Sequence, residues 1–193
     1  MRIITFLLFT GILLSCKPQS PISPAAKQSL EGLEVMEGFR VEAFVSEPLV
    51  ADPVAMEIDE NGNIYVVEMH GYPLDVEGSG KVKLLKDTNA DGLPDEAVIF
   101  AENLILPTGI MRWKEGVIVT DAPDVWYLED TDGDGKADVK EKMLTGFARS
   151  NPQHNLNTPV YGLDNWIYLA HEGTISTKYF HDKFGSEGKA IVF

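Results

Sequence analysis

The sequence predicts an all-β repeat fold, a β-propeller, and three observations predict it. An acidic loop occurs twice, as Asp87-Thr88-Asn89-Ala90-Asp91-Gly92-Leu93-Pro94-Asp95 and as Asp130-Thr131-Asp132-Gly133-Asp134-Gly135-Lys136-Ala137-Asp138, each after a short apolar run (82–86 and 125–129). A turn pair followed by an apolar strand occurs three times, at Asn61-Gly62, Glu115-Gly116 and Asp164-Asn165. No segment has a long apolar period near 3.6; short β-branched and aromatic runs separated by Gly, Asn, Asp and Pro take its place. Repeats of about 40–50 residues with several strands each are a propeller signature.

The elements follow in order. Residues 1–16 read as a lipoprotein signal: Arg2 is the positive n-region, 3–14 the apolar h-region, and Leu13-Leu14-Ser15-Cys16 has the form of a lipobox in which Cys16 is lipidated. An ordinary secretory signal is the alternative. Both place the protein in the cell envelope or beyond, and a single cysteine permits no internal disulfide. Residues 17–37, rich in Pro, Ser, Gln and Ala, read as a flexible tether. The propeller occupies 38–193. Its first blade has strands at 53–58, 64–69, 81–85 and 96–100, with an insertion at 71–80. Its second has strands at 108–113, 117–120, 125–128 and 139–144. A third starts near Val160 and continues through 167–170 and 175–179. Three blades do not close a ring of six, so the chain reads as a fragment ending on a nascent strand at 188–193.

The acidic loops have the donor pattern of a hard-cation site. Oxygen side chains fall at positions 1, 3, 5 and 9, glycine at position 6, and the carbonyl at position 7 is that of Leu93 or Lys136. Candidate calcium ligands are Asp87, Asn89, Asp91, Leu93 and Asp95 in the first loop. In the second they are Asp130, Asp132, Asp134, Lys136 and Asp138, with Glu141 at position 12. Strand-like flanks exclude an EF-hand, which needs a helix on each side. The role expected for calcium is structural; an Asp-Gly turn without metal is the alternative. The net charge of −14 excludes nucleic acid and anionic lipid surfaces as electrostatic partners.

Several segments together carry a family resemblance: Gly38-Phe39-Arg40-Val41-Glu42, Ala51-Asp52-Pro53-Val54-Ala55-Met56, Tyr65-Val66-Val67-Glu68-Met69, Leu106-Pro107-Thr108-Gly109-Ile110-Met111, Asn151-Pro152-Gln153-His154 and Gly162-Leu163-Asp164-Asn165-Trp166-Ile167-Tyr168. They resemble the N-terminal propeller of the exported "membrane-bound dehydrogenase" proteins of planctomycetes, verrucomicrobia and bacteroidetes. That propeller is distantly similar to sugar dehydrogenases that use pyrroloquinoline quinone. The resemblance implies a cytochrome c domain downstream; with no Cys-x-x-Cys-His here, haem lies outside this chain. It also implies a sugar or alcohol substrate and a quinone cofactor. His154, at the family's spacing from Gly162, is the implied general base. Where the sugar dehydrogenases carry Gly-Gly-Arg, this chain has Leu156-Asn157-Thr158.

Arg149, Asn151 and Gln153 cluster around His154 as candidate substrate-binding residues or turn caps. His70 and His171 each follow the second strand of their unit, and the sequence gives neither a clear partner; His181 is less telling. Two functions compete: a quinone-dependent sugar or alcohol dehydrogenase at the cell surface, and a non-catalytic lipid-anchored propeller that binds a glycan or protein. No nucleotide-binding Gly-rich motif supports a nicotinamide enzyme.

Overall fold

The structure, a computed structural model, describes residues 22–149 and 151–171. The segment expected to be a signal, with Cys16, the strands expected at 175–179 and 188–193, and His181 lie outside the described residues. The described chain is mostly β.

Two four-stranded antiparallel meanders form its body. The first holds β1 (Pro53–Ile58), β2 (Ile64–Glu68), β3 (Gly80–Lys86) and β4 (Glu96–Leu104), paired in chain order. The second repeats the order with β5 (Gly109–Trp113), β6 (Gly116–Asp121), β7 (Asp124–Glu129) and β8 (Val139–Thr145). A two-stranded hairpin follows, β9 (Val160–Tyr161) with β10 (Ile167–Tyr168). The strands expected from alternation and turn chemistry are these, with one notable difference. β4 runs past Phe100 to Leu104, because the pairing shifts register between Gly80 and Val82 and so carries the polar stretch Glu102-Asn103 as an irregularity, Asn103 taking a φ of 60°. Leu104, fully buried, closes the sheet beyond it.

The side-chain alternation of the strands builds the core in layers. Tyr65 and Val67 of β2, Val82 and Leu84 of β3, and Phe100 and Leu104 of β4 point to one side. There they meet Ile110, Val117, Val119 and Leu128 of the second sheet. On that sheet's other face Met111, Ile118 and Val125 pack against Phe147, Leu156, Ile167 and Leu169, which lead into the third unit. On the first sheet's other face Val66 and Leu85 lie under Val45 and Val50 of an N-terminal strap, residues 45–52, that leads into β1. Each fully buried aliphatic side chain contributes about 1.5–3 kcal/mol. Gly109 shows how closely the third unit is seated: a Cβ there would lie 2.4 Å from the Cα of Thr158.

Within the segment expected to be a tether, the chain forms a helix, α1 (Pro24–Glu31). Ser23 caps it, its hydroxyl accepting from Ala26 N at 3.1 Å, with proline in the first turn. The helix buries no residue, but Ser23 N donates to Ser46 Oγ at 2.7 Å and so holds the helix to the strap.

Candidate functional site

Antiparallel register divides the polar side chains between two ends of the sheets. Lys86 pairs with Glu96 and Glu129 with Val139, so both acidic loops close hairpins at one end. Pro53 pairs with Glu68, Gly109 with Thr120 and Asp124 with Thr145, which places the histidine-bearing segments at the other.

The two acidic loops share a common set of internal hydrogen bonds. The carboxylate at position 1 accepts from the glycine N–H at position 6: Gly92 N to Asp87 Oδ2 and Gly135 N to Asp130 Oδ2, both 2.8 Å. Asp91 N donates to Asn89 Oδ1 and Leu93 N to Asp91 Oδ1; Asp134 N to Asp132 Oδ1 and Lys136 N to Asp134 Oδ1 repeat the pattern. Thr88 clasps Asp95 through its backbone N–H and hydroxyl, and Thr131 clasps Asp138 in the same way. Those N–H groups first, and the hydroxyls second, hold the Asp95 and Asp138 carboxyls below the usual carboxylate range.

The loops differ in what they gather. Carboxylate oxygens of Asp130, Asp132 and Asp138 lie within 4.8 Å of one another, and among the described residues this is where three such groups converge. Ligands at about 2.3–2.6 Å from one calcium ion sit no more than roughly 5 Å apart, so the donor set fits the ion. Asp134 stands outside the group, with the Lys136 ammonium 3.9 Å from it. Glu141 lies on β8 opposite Tyr127, also outside it. In the first loop Asn89 Nδ2 is turned toward Asp95 Oδ2 at 2.9 Å, and its carboxylates are not so gathered.

At the opposite end each unit fixes its incoming chain with a polar side chain at or just beyond the end of its second strand. Asp121, 3% exposed, accepts from Ile105 N and Leu106 N; burial pushes its carboxyl above the usual range, against the pull of those N–H groups. His171 Nε2 lies 3.1 Å from Ala148 O. In the first unit the device is larger. Glu68, 0% exposed, accepts from Ala51 N at 2.8 Å and from Lys83 Nζ at 2.9 Å, and faces His70 Nε2 at 2.9 Å. His70 Nδ1 lies 3.0 Å from Asp52 Oδ2, and Lys83 Nζ also donates to Leu49 O. No partner for His70 is legible in the sequence; the structure supplies Glu68 and Asp52. The signal was a lone glutamate closing an apolar strand, on the face that also carries Lys83.

His154, the base implied by resemblance, ends an exposed 3₁₀ turn (Pro152–His154). Asn151 caps that turn, its Oδ1 accepting from Gln153 N at 3.0 Å, and both residues are exposed, as is Arg149. Asn151 thus takes the capping role among the two expected of it. The stretch that stands where the sugar dehydrogenases carry Gly-Gly-Arg is used for packing: Leu156 is 0% exposed within the core, and Thr158 abuts Gly109.

A family model described as "Domain of unknown function (DUF7133)" matches residues 25–191. The chain belongs to this family. No curated protein and no solved structure matches it. The DUF7133 match begins within the first turn of α1 and takes in both meanders, both acidic loops and the other sites described above.

Proposed function

We propose that this DUF7133 chain is part of an exported, lipid-anchored β-propeller, pinned by calcium at the second acidic loop, that presents a ligand site at the opposite end of its sheets. The observation that carries the reading is the repetition of one unit, meander and acidic loop together, with three carboxylates converging at one copy. Calcium at the hairpin end lies away from the histidines, which fits a structural role. Substituting Cys16→Ser is expected to move the protein from the membrane to the soluble fraction. Unchanged retention in the membrane would remove the anchor from this reading.

The second reading is a sugar or alcohol dehydrogenase of the quinone-dependent type, passing electrons to a cytochrome c domain downstream. One observation favours it, the spacing of His154 from Gly162. In it His154 accepts the substrate hydroxyl proton, and loss of a general base costs about 10²–10⁴-fold in rate. Full-length protein supplied with quinone and an artificial electron acceptor is the test, against a panel of sugars. Turnover that falls by that factor in His154→Gln supports it. No turnover in the wild type leaves the binding module alone.

A further inference from the structure

Where the strap enters β1, one imidazole faces two carboxylates. His70 Nε2 lies 2.9 Å from Glu68 Oε2, and His70 Nδ1 lies 3.0 Å from Asp52 Oδ2. Each contact needs a proton between nitrogen and oxygen, so the two together need two. A neutral imidazole between two ionised carboxylates carries one. With both contacts made, the three groups therefore hold one proton more than that. Charge balance points the same way. Glu68 of β2 and Asp52 of the strap are offset by Lys83 of β3, whose Nζ lies 2.9 Å from Glu68 Oε1; with the extra proton the four groups sum to zero. Of the acids in the adjoining loop, residues 69–79, Asp75 accepts from Glu77 N within the loop and Glu77 is exposed.

The two contacts do not yield equally. Glu68 has no exposed surface and is fixed by Ala51 N and Lys83 Nζ. Taking the ring away from its Oε2 would strip a donor from a buried carboxylate. Asp52 is 65% exposed and can exchange the ring for water at little cost. With one proton to share, the ring keeps it on Nε2, toward Glu68. Its Nδ1 lone pair then faces the Asp52 carboxylate, and the Asp52 side chain turns out to solvent. Asp52 is the last residue of the strap, and its carbonyl accepts from Met69 N. Without the side-chain contact it is left on that backbone bond, and the strap lifts from Val66 and Leu85 more often.

We propose that Glu68, His70 and Asp52 form a proton-operated latch on the strap, closed while the ring bridges both carboxylates and opened as pH rises and the extra proton leaves. The sign follows from the proton count: the closed latch binds more protons, so acid favours it and alkali opens it. The latch stands or falls independently of calcium, the lipid anchor and any ligand.

The test is amide exchange of the whole chain at about pH 5 and about pH 8, the interval across which histidine ordinarily changes charge. Each rate is corrected for its intrinsic pH dependence, and ¹⁵N-labelled histidine reports the ring protons. Val50 and Ala51 report the strap, and Val119 in β6 reports the sheets. Protection of Val50 and Ala51, taken relative to Val119, is expected to be about fivefold higher at the acid end, the scale of one hydrogen bond with an exposed partner. The strap amide shifts should titrate with the same midpoint as the His70 ring signals. Asp52 has a φ of 48°, which asparagine tolerates, so Asp52→Asn keeps the fold, and an unchanged circular dichroism spectrum verifies this. That variant should lose the pH dependence, because a side-chain amide pairs with the ring in either protonation state. Equal protection at the two pH values, greater protection at the alkaline end, or a pH dependence that survives in Asp52→Asn overturns the latch. A strap that titrates with a midpoint different from that of His70 overturns it as well.

Discussion

Replacing Glu68 with alanine is expected to destabilise the chain by about 3–5 kcal/mol, the cost of breaking a buried ion pair by removing one partner. Glu68 has no exposed surface, so solvent does not screen the loss. Removing it leaves Lys83, whose side chain is 15% exposed, without its carboxylate, and leaves the Ala51 N–H without an acceptor under the strap. The strap should loosen first, because Ala51, Leu49 and Asp52 all reach the sheet through this network. Denaturant midpoints measure the total. Amide exchange at Ala51 localises it, rising by more than exchange in β6. Glu68→Gln keeps an acceptor for Ala51 N and loses the charge, so it should fall between wild type and alanine. A loss under about 1 kcal/mol in the alanine variant would show that the network is not what holds the strap.

That network marks where the sequence stopped being legible. The strands were readable because apolar residues alternate between two faces that are both covered, and because Asn-Gly and Asp-Gly punctuate them. The acidic loops were readable because their donors are local in sequence. Glu68, Lys83, His70 and Asp52 come from three segments, and nothing local says that the strap crosses the end of β2. Register alone puts Glu68 and Lys83 on one face. α1 was missed for a different reason. Ser23 before Pro24 and Gly32 after Glu31 are helix signals, but the composition of the stretch suited a tether, and a helix that buries nothing has no apolar stripe to find. His154 is a third case: its spacing to Gly162 is legible in the sequence, but nothing local says that the intervening Leu156 and Thr158 are taken up in packing.

The second large effect concerns calcium. With free calcium at about 100 times its dissociation constant, a site present only in the folded state adds about 2.7 kcal/mol, a rise in melting temperature of roughly 5–10 °C for a chain of this size. The comparison is calcium against chelator at pH 7. Asp132→Asn should abolish the difference and leave the chelated melting temperature unchanged, since asparagine Oδ1 still accepts from Asp134 N. Asp130→Ala should lower both, because Gly133 N and Gly135 N lose their acceptor as well. Glu141→Gln should change neither, as that side chain lies outside the converging group. The pH dependence has a definite sign. Thr131 holds the Asp138 carboxyl below its unfolded value, so the clasp is intact above the ordinary aspartate pKa of about 3.9 and fails as pH drops through the lower folded value. Calcium requires the same carboxylates ionised, so its contribution should hold steady from neutral pH down to about 5 and vanish over that acid window. Equal melting temperatures in calcium and chelator at pH 7 would leave the converging carboxylates as a turn that binds no metal, stabilised by the Thr131 clasp and the Asp130 N–H bonds alone.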